Sequence, residues 1–87
     1  MNPRVTKAQC YEDHSITLVF TNGERRRFDV RPYLDYPVFE PLKSVPYFLQ
    51  GRSAHGTVVW PNEEDFCPDT LYLESVPVAD SPLGDAA

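Results

Sequence analysis

From Gly56 to Ala87 the sequence has no lysine or arginine, yet it holds seven acidic residues. All eight bases lie before that point, beside six acids, so residues 1–55 carry +2 and residues 56–87 carry −7. That lack of base argues against general nucleic-acid binding, which needs a cationic face to displace counterions from phosphate. It leaves an acidic surface that suits a basic partner.

Other absences narrow the reading further. No apolar run approaches the ~20 residues of a membrane-spanning helix. The opening Met-Asn-Pro-Arg-Val-Thr-Lys lacks the apolar core of a signal peptide, so a cytoplasmic protein of bacterial type is expected. Cysteine is scarce, and Cys10 and Cys67 fit small buried hydrophobes better than a bridge in such a setting. Glycine is scarce too. Its four positions, 23, 51, 56 and 84, are isolated, so there is no phosphate loop and no dinucleotide fingerprint. Cys10, His14, His55 and Cys67 are too scattered for the paired ligand spacing of a zinc site. Cys67 with His55 is the sole nucleophile–base pair to weigh, and no elbow or glycine-rich oxyanion loop accompanies it. No catalytic residue, metal ligand or cofactor is expected.

Proline, by contrast, is abundant, with nine in 87 residues. Proline is excluded from helix interiors and central strands, which implies short elements with many corners. A chain of this length builds one modest core. One domain is expected over residues 1–75, with a flexible tail from Val76 to Ala87 because that stretch has no periodicity.

The first thirty residues read as a three-stranded meander. Residues 4–11 alternate moderately, Glu12-Asp13-His14 turns, and Ile16, Leu18 and Phe20 share one face of a strand over 15–20. Asn22-Gly23 predicts a type I′ hairpin turn. The return strand, 25–30, continues the core face with Phe28 and Val30 and turns Arg25 and Arg27 outward. That basic run reads as a solvated edge that resists strand-to-strand aggregation. Short helical turns follow near 31–34, 39–43 and 46–50, with Phe39, Leu42, Val45, Phe48 and Leu49 spaced to cover the sheet. Residues 52–55 and 57–60 form a second extended pair bent near Gly56. Pro61 ends it, Glu63-Glu64-Asp65 sits in a turn or helical start, and residues 68–73 suit a last helical turn. The sum is an α+β fold: an antiparallel meander of about five strands with short helical turns packed on one face.

Trp60, the sole tryptophan, stands beside the densest acid run. Two readings apply. Trp60 packs on the sheet while the acids sit near a helical start, where negative charge is favoured. Alternatively, Trp60 is exposed and anchors an interface with Glu63, Glu64, Asp65 and Tyr72. A pocket between the sheet and the proline-rich cover, lined by Tyr33, Tyr47, Trp60 and Tyr72, is the small-molecule alternative.

Taken together, certain segments form a familiar pattern. These are Ile16-Thr17-Leu18-Val19-Phe20, Asn22-Gly23-Glu24, Arg27-Phe28-Asp29-Val30, Val38-Phe39-Glu40-Pro41-Leu42-Lys43, Thr57-Val58-Val59-Trp60-Pro61-Asn62 and Pro68-Asp69-Thr70-Leu71-Tyr72. The chain resembles the bacterial domain-of-unknown-function family 2442 from about Pro3 to Tyr72. The family commonly has glycine after Trp-Pro-Asn, where Glu63 stands here, and often a small apolar residue at the place of Cys67. The resemblance implies a small α+β protein without assigned catalytic residues, often encoded beside another small protein in toxin–antitoxin-like pairs. Some relatives add a helix-turn-helix after this module, and with so few residues after Tyr72 none is expected here. The expectation is a non-enzymatic interaction module whose partner is another small protein, with no direct nucleic-acid or membrane contact. The exposed edges of the meander also offer a homodimer contact.

Overall fold

The structure, a computed structural model, describes residues 2–78. Six strands run β1 (Val5–Cys10), β2 (Ser15–Phe20), β3 (Arg25–Asp29), β4 (Arg52–Ala54), β5 (Thr57–Val59) and β6 (Val76–Pro77). Two short helices, α1 (Val45–Phe48) and α2 (Pro68–Leu73), and 3-10 segments at Arg31–Tyr33 and Pro37–Lys43 complete the fold. It is α+β with antiparallel strands. The strands divide into a four-stranded sheet in the order β1-β2-β3-β6 and a β4–β5 ribbon. The ribbon sits beside β1, where Val5 N–H donates to the Gly56 carbonyl at 3.0 Å and Ser53 Oγ to the Thr6 carbonyl at 3.4 Å.

Alternation dictates the buried face. Ile16 pairs Phe28 and Leu18 pairs Arg26 across β2 and β3, and Ile16, Leu18, Phe28 and Val30 are fully buried. Against this face pack Phe39, Leu42, Phe48, Trp60, Phe66 and Leu71. Leu49, expected in the cover, is exposed instead, because the helical turn ends at Phe48. Each of the four helical segments has proline at its first or second position, where no intrahelical N–H is required.

The turns depart from expectation in an instructive way. Asn22-Gly23 does not form a type I′ turn, since only Gly23 has positive φ (89°). The loop is Thr21-Asn22-Gly23. Gly23 N–H returns to the Phe20 carbonyl at 2.8 Å, and Phe20 N–H donates to the Glu24 carbonyl at 2.9 Å. This is the three-residue hairpin in which a type I turn is closed by a left-handed residue. Asn22 Oδ1 accepts from Glu24 N–H at 3.0 Å and so favours that turn. The two-residue turn with positive φ at both positions lies instead at His55 (54°) and Gly56 (81°), between paired Ala54 and Thr57.

The reading of Val76 onward as tail also needs correction. Val76 pairs Arg27 and Pro77 pairs Arg26, so the four-stranded sheet extends past residue 75. Pro77 tolerates this place because β6 is an edge strand. The remainder of the proposed tail, 79–87, lies outside the described residues.

Candidate functional site

The stretch from Trp60 to Asp65 repeats the hairpin logic of Phe20 to Glu24. Glu63 N–H donates to the Trp60 carbonyl at 2.8 Å, and Trp60 N–H to the Glu64 carbonyl at 3.0 Å. Pro61 takes the first loop position, where its fixed φ suits a type I turn. Glu63 takes the left-handed position, at φ 74°. The same pattern recurs at Tyr11 to Ser15, with His14 left-handed at 65°. After the turn the chain runs extended, and Asp65 bridges back to Val59. The acids therefore occupy a hairpin rather than a helical start. The next helix, α2, opens only at Pro68.

The left-handed backbone at Glu63 is one that glycine adopts more readily. A left-handed residue with a Cβ costs about 1–2 kcal/mol, which glycine avoids. Glu63→Gly should therefore stabilise the domain by about 0.5–1 kcal/mol after the entropy of the freer unfolded chain is deducted. Thermal unfolding should show a rise in Tm of about 2–8 °C. An unchanged or lower Tm would show that the Glu63 side chain compensates its own strain.

Trp60 does not anchor an exposed interface. It is 3% exposed, donates from Nε1 to the Phe48 carbonyl at 2.8 Å and stacks on the Phe48 ring at 5.8 Å. Burial of the indole with its one donor satisfied makes it core. Glu64 is also withdrawn from the surface, at 8% exposure. Its Oε1 accepts a 2.6 Å hydrogen bond from the Tyr47 hydroxyl, which in turn accepts from Asn62 N–H at 2.8 Å. Burial, and then the bond to Glu64, push the Tyr47 phenol above its ordinary range and keep it a donor. This Asn62–Tyr47–Glu64 chain ties the hairpin to α1. No local sequence pattern announces it.

The tyrosines do not converge on one pocket. Tyr33 packs on Phe28 and Phe66, with ring centroids 5.3 and 5.5 Å away. Tyr72 lies edge-on to Phe20 at 5.2 Å and beneath the Arg26 guanidinium at 4.6 Å. The space between sheet and cover, where a pocket was expected, holds fully buried Leu42, Phe48 and Val58. Arg26, read only as part of a basic run, bonds Ser75 through Nε and fastens the C-terminal segment to β3.

Glu63 and Asp65 remain at the surface. The three ion pairs among the described residues are Arg26–Glu24, Arg27–Asp13 and Arg31–Asp29, all between residues 13 and 31. None neutralises the hairpin acids, so the charge division of the sequence persists in the fold. Cys10 is buried and its thiol is pushed up to about 11 by that burial, while Cys67 is exposed at the start of α2. Among the described residues no cluster of three His, Cys, Asp or Glu side chains could hold a metal, and no helix is long and apolar enough to cross a membrane.

These features define a small α+β domain of antiparallel hairpins closed over an aromatic core, with Glu63 and Asp65 exposed on the hairpin that follows β5. Residues 5–77 match the family described as Protein of unknown function (DUF2442), and the chain belongs to that family. No curated protein and no solved structure matches it.

Proposed function

We propose that this domain is a non-enzymatic protein-interaction module, the antitoxin-like or accessory partner of a small basic protein. The observation that supports this most is the hairpin at Trp60–Asp65. Its base is locked by the buried indole and by the Tyr47–Glu64 bond, and it carries Glu63 and Asp65 outward with no ion pair among the described residues. A preformed turn costs little ordering entropy on binding. Unpaired surface acids steer a basic partner and lose that effect as salt rises.

Recovery of a basic partner from the host by the tagged domain, at low and at high salt, tests this reading when wild type is compared with Glu63→Lys/Asp65→Lys. Both side chains are exposed, so the double variant should keep its Tm. Its affinity for the partner should fall at least about tenfold, as expected for reversing two interfacial charges. Undiminished recovery by the variant would remove the acidic hairpin from the interface.

A further inference from the structure

The face of the four-stranded sheet opposite the core carries a second charge pattern, independent of the hairpin. Register places Lys7, Val19 and Arg25 side by side across β1, β2 and β3. The next row is Gln9, Thr17, Arg27 and Val76. Arg27 is held by Asp13 at 2.8 Å, and the neighbouring Arg31 by Asp29 at 3.0 Å, so this end of the face is balanced. Asp13 is kept below its ordinary range by the Ser15 hydroxyl and by Arg27, and remains a carboxylate to hold that balance. Lys7 and Arg25 have no ion pair among the described residues and flank Val19. Strand spacing sets their backbones about 10 Å apart. Beside Lys7 runs an open groove of about 330 Å³, bounded by Lys7, Ala8, Gln9, Thr17, Val19 and Ser53.

We infer that this open sheet face is a second docking surface, which takes an extended acidic segment of a partner protein across Lys7, Val19 and Arg25. Carboxylates two residues apart on an extended chain are about 7 Å apart and on one side. Both cations can therefore be met at once, over a floor of small side chains. Gln9, Thr17 and Ser53, all polar, are among the residues that line the groove. Single-stranded nucleic acid fits less well. No aromatic residue stands in these rows for bases to stack on, and two cations with no ion pair among the described residues release few counterions. A second copy of this chain approaches against its own net charge of −5. The inference goes beyond the proposed function, because the partner chemistry and the surface both differ.

A labelled polyglutamate peptide, titrated into the full chain at low salt with backbone amide shifts recorded, tests this directly. The expected shifts fall at Lys7, Gln9, Thr17, Val19, Arg25 and Ser53. Lys7→Glu/Arg25→Glu should weaken binding at least about tenfold with unchanged Tm, while Glu63→Lys/Asp65→Lys leaves these shifts in place. Tighter binding of single-stranded oligothymidylate at the same amides would overturn the choice of ligand. Concentration-dependent sedimentation that Lys7→Glu/Arg25→Glu abolishes would put a second copy there instead. Absence of shifts at these amides would remove the surface altogether.

Discussion

Gly51→Ala should destabilise the domain by about 3 kcal/mol, although it adds a single methyl group to a half-buried position. A Cβ on Gly51 would lie 2.6 Å from Trp60 Cε2, 2.7 Å from Nε1 and 2.8 Å from Cζ2. Real side chains do not approach so closely, so the indole must move. The indole is pinned by its bond to the Phe48 carbonyl and by the rings of Phe48 and Phe66. Overpacking costs about 1–3 kcal/mol. Displacing Nε1 leaves the buried indole N–H without its acceptor, at about 1–3 kcal/mol more, while the Phe48 carbonyl keeps the Gly51 N–H at 3.1 Å. A domain of this length has a total stability of about 4–13 kcal/mol, so the change removes a large share of it. The Tm should fall by roughly 10–20 °C. Gly23→Ala is the control. A Cβ there meets nothing within 4 Å, and only the left-handed strain at φ 89° is added, about 1–2 kcal/mol. If Gly51→Ala proves milder than Gly23→Ala, Trp60 is not held as tightly as its contacts indicate.

Phe66→Ala should cost about 3–5 kcal/mol, the largest single truncation expected in this fold. Phe66 is 4% exposed and joins the two layers of the core. It stacks on Phe39 at 4.4 Å and meets Phe28, Tyr33 and Trp60 at tilted or edge-on geometry between 5.2 and 6.0 Å. Its backbone matters as well, since the Phe66 carbonyl accepts from Thr57 Oγ1 at 2.5 Å. Removal of the ring leaves a cavity bounded by other rigid rings, which collapse poorly. Urea unfolding of Phe66→Ala and Phe66→Leu measures the effect. Leucine refills much of the volume but restores no ring geometry, worth about 0.5–1.5 kcal/mol beyond area. A loss below about 1 kcal/mol in Phe66→Ala would mean that the aromatic cluster relaxes to fill the gap.

The division of the second half into hairpin and helix was less legible than the opening meander, for a physical reason. Ile16, Leu18, Phe20, Phe28 and Val30 announce their face because alternation is a property of neighbours in the chain. Glu63, Glu64 and Asp65 carry no such signal. The same three acids suit a helix start or a hairpin. The choice falls to Asp65 bridging Val59 and to Tyr47 reaching Glu64 from 17 positions away. Asn22-Gly23 is a related case. The dipeptide marks a turn correctly, but loop length is set by pairing. Phe20 bonds Glu24 across three residues rather than two.

The sequence by itself determined the α+β class, the proline-broken cover, the inward face of the meander and the segregation of charge. Each follows from composition or from side chains a few positions apart, which backbone geometry alone places on one face or at one corner. Tertiary structure decided whether Trp60 is core or anchor and, among the described residues, which acids are buried and which cations have no ion pair. It also decided that Val76 joins the sheet beside Arg27. These are contacts between distant segments. Their outcome depends on the packing of Gly51 and Phe48 around the indole and of Ser75 beneath Arg26, and no local pattern in the chain encodes that packing.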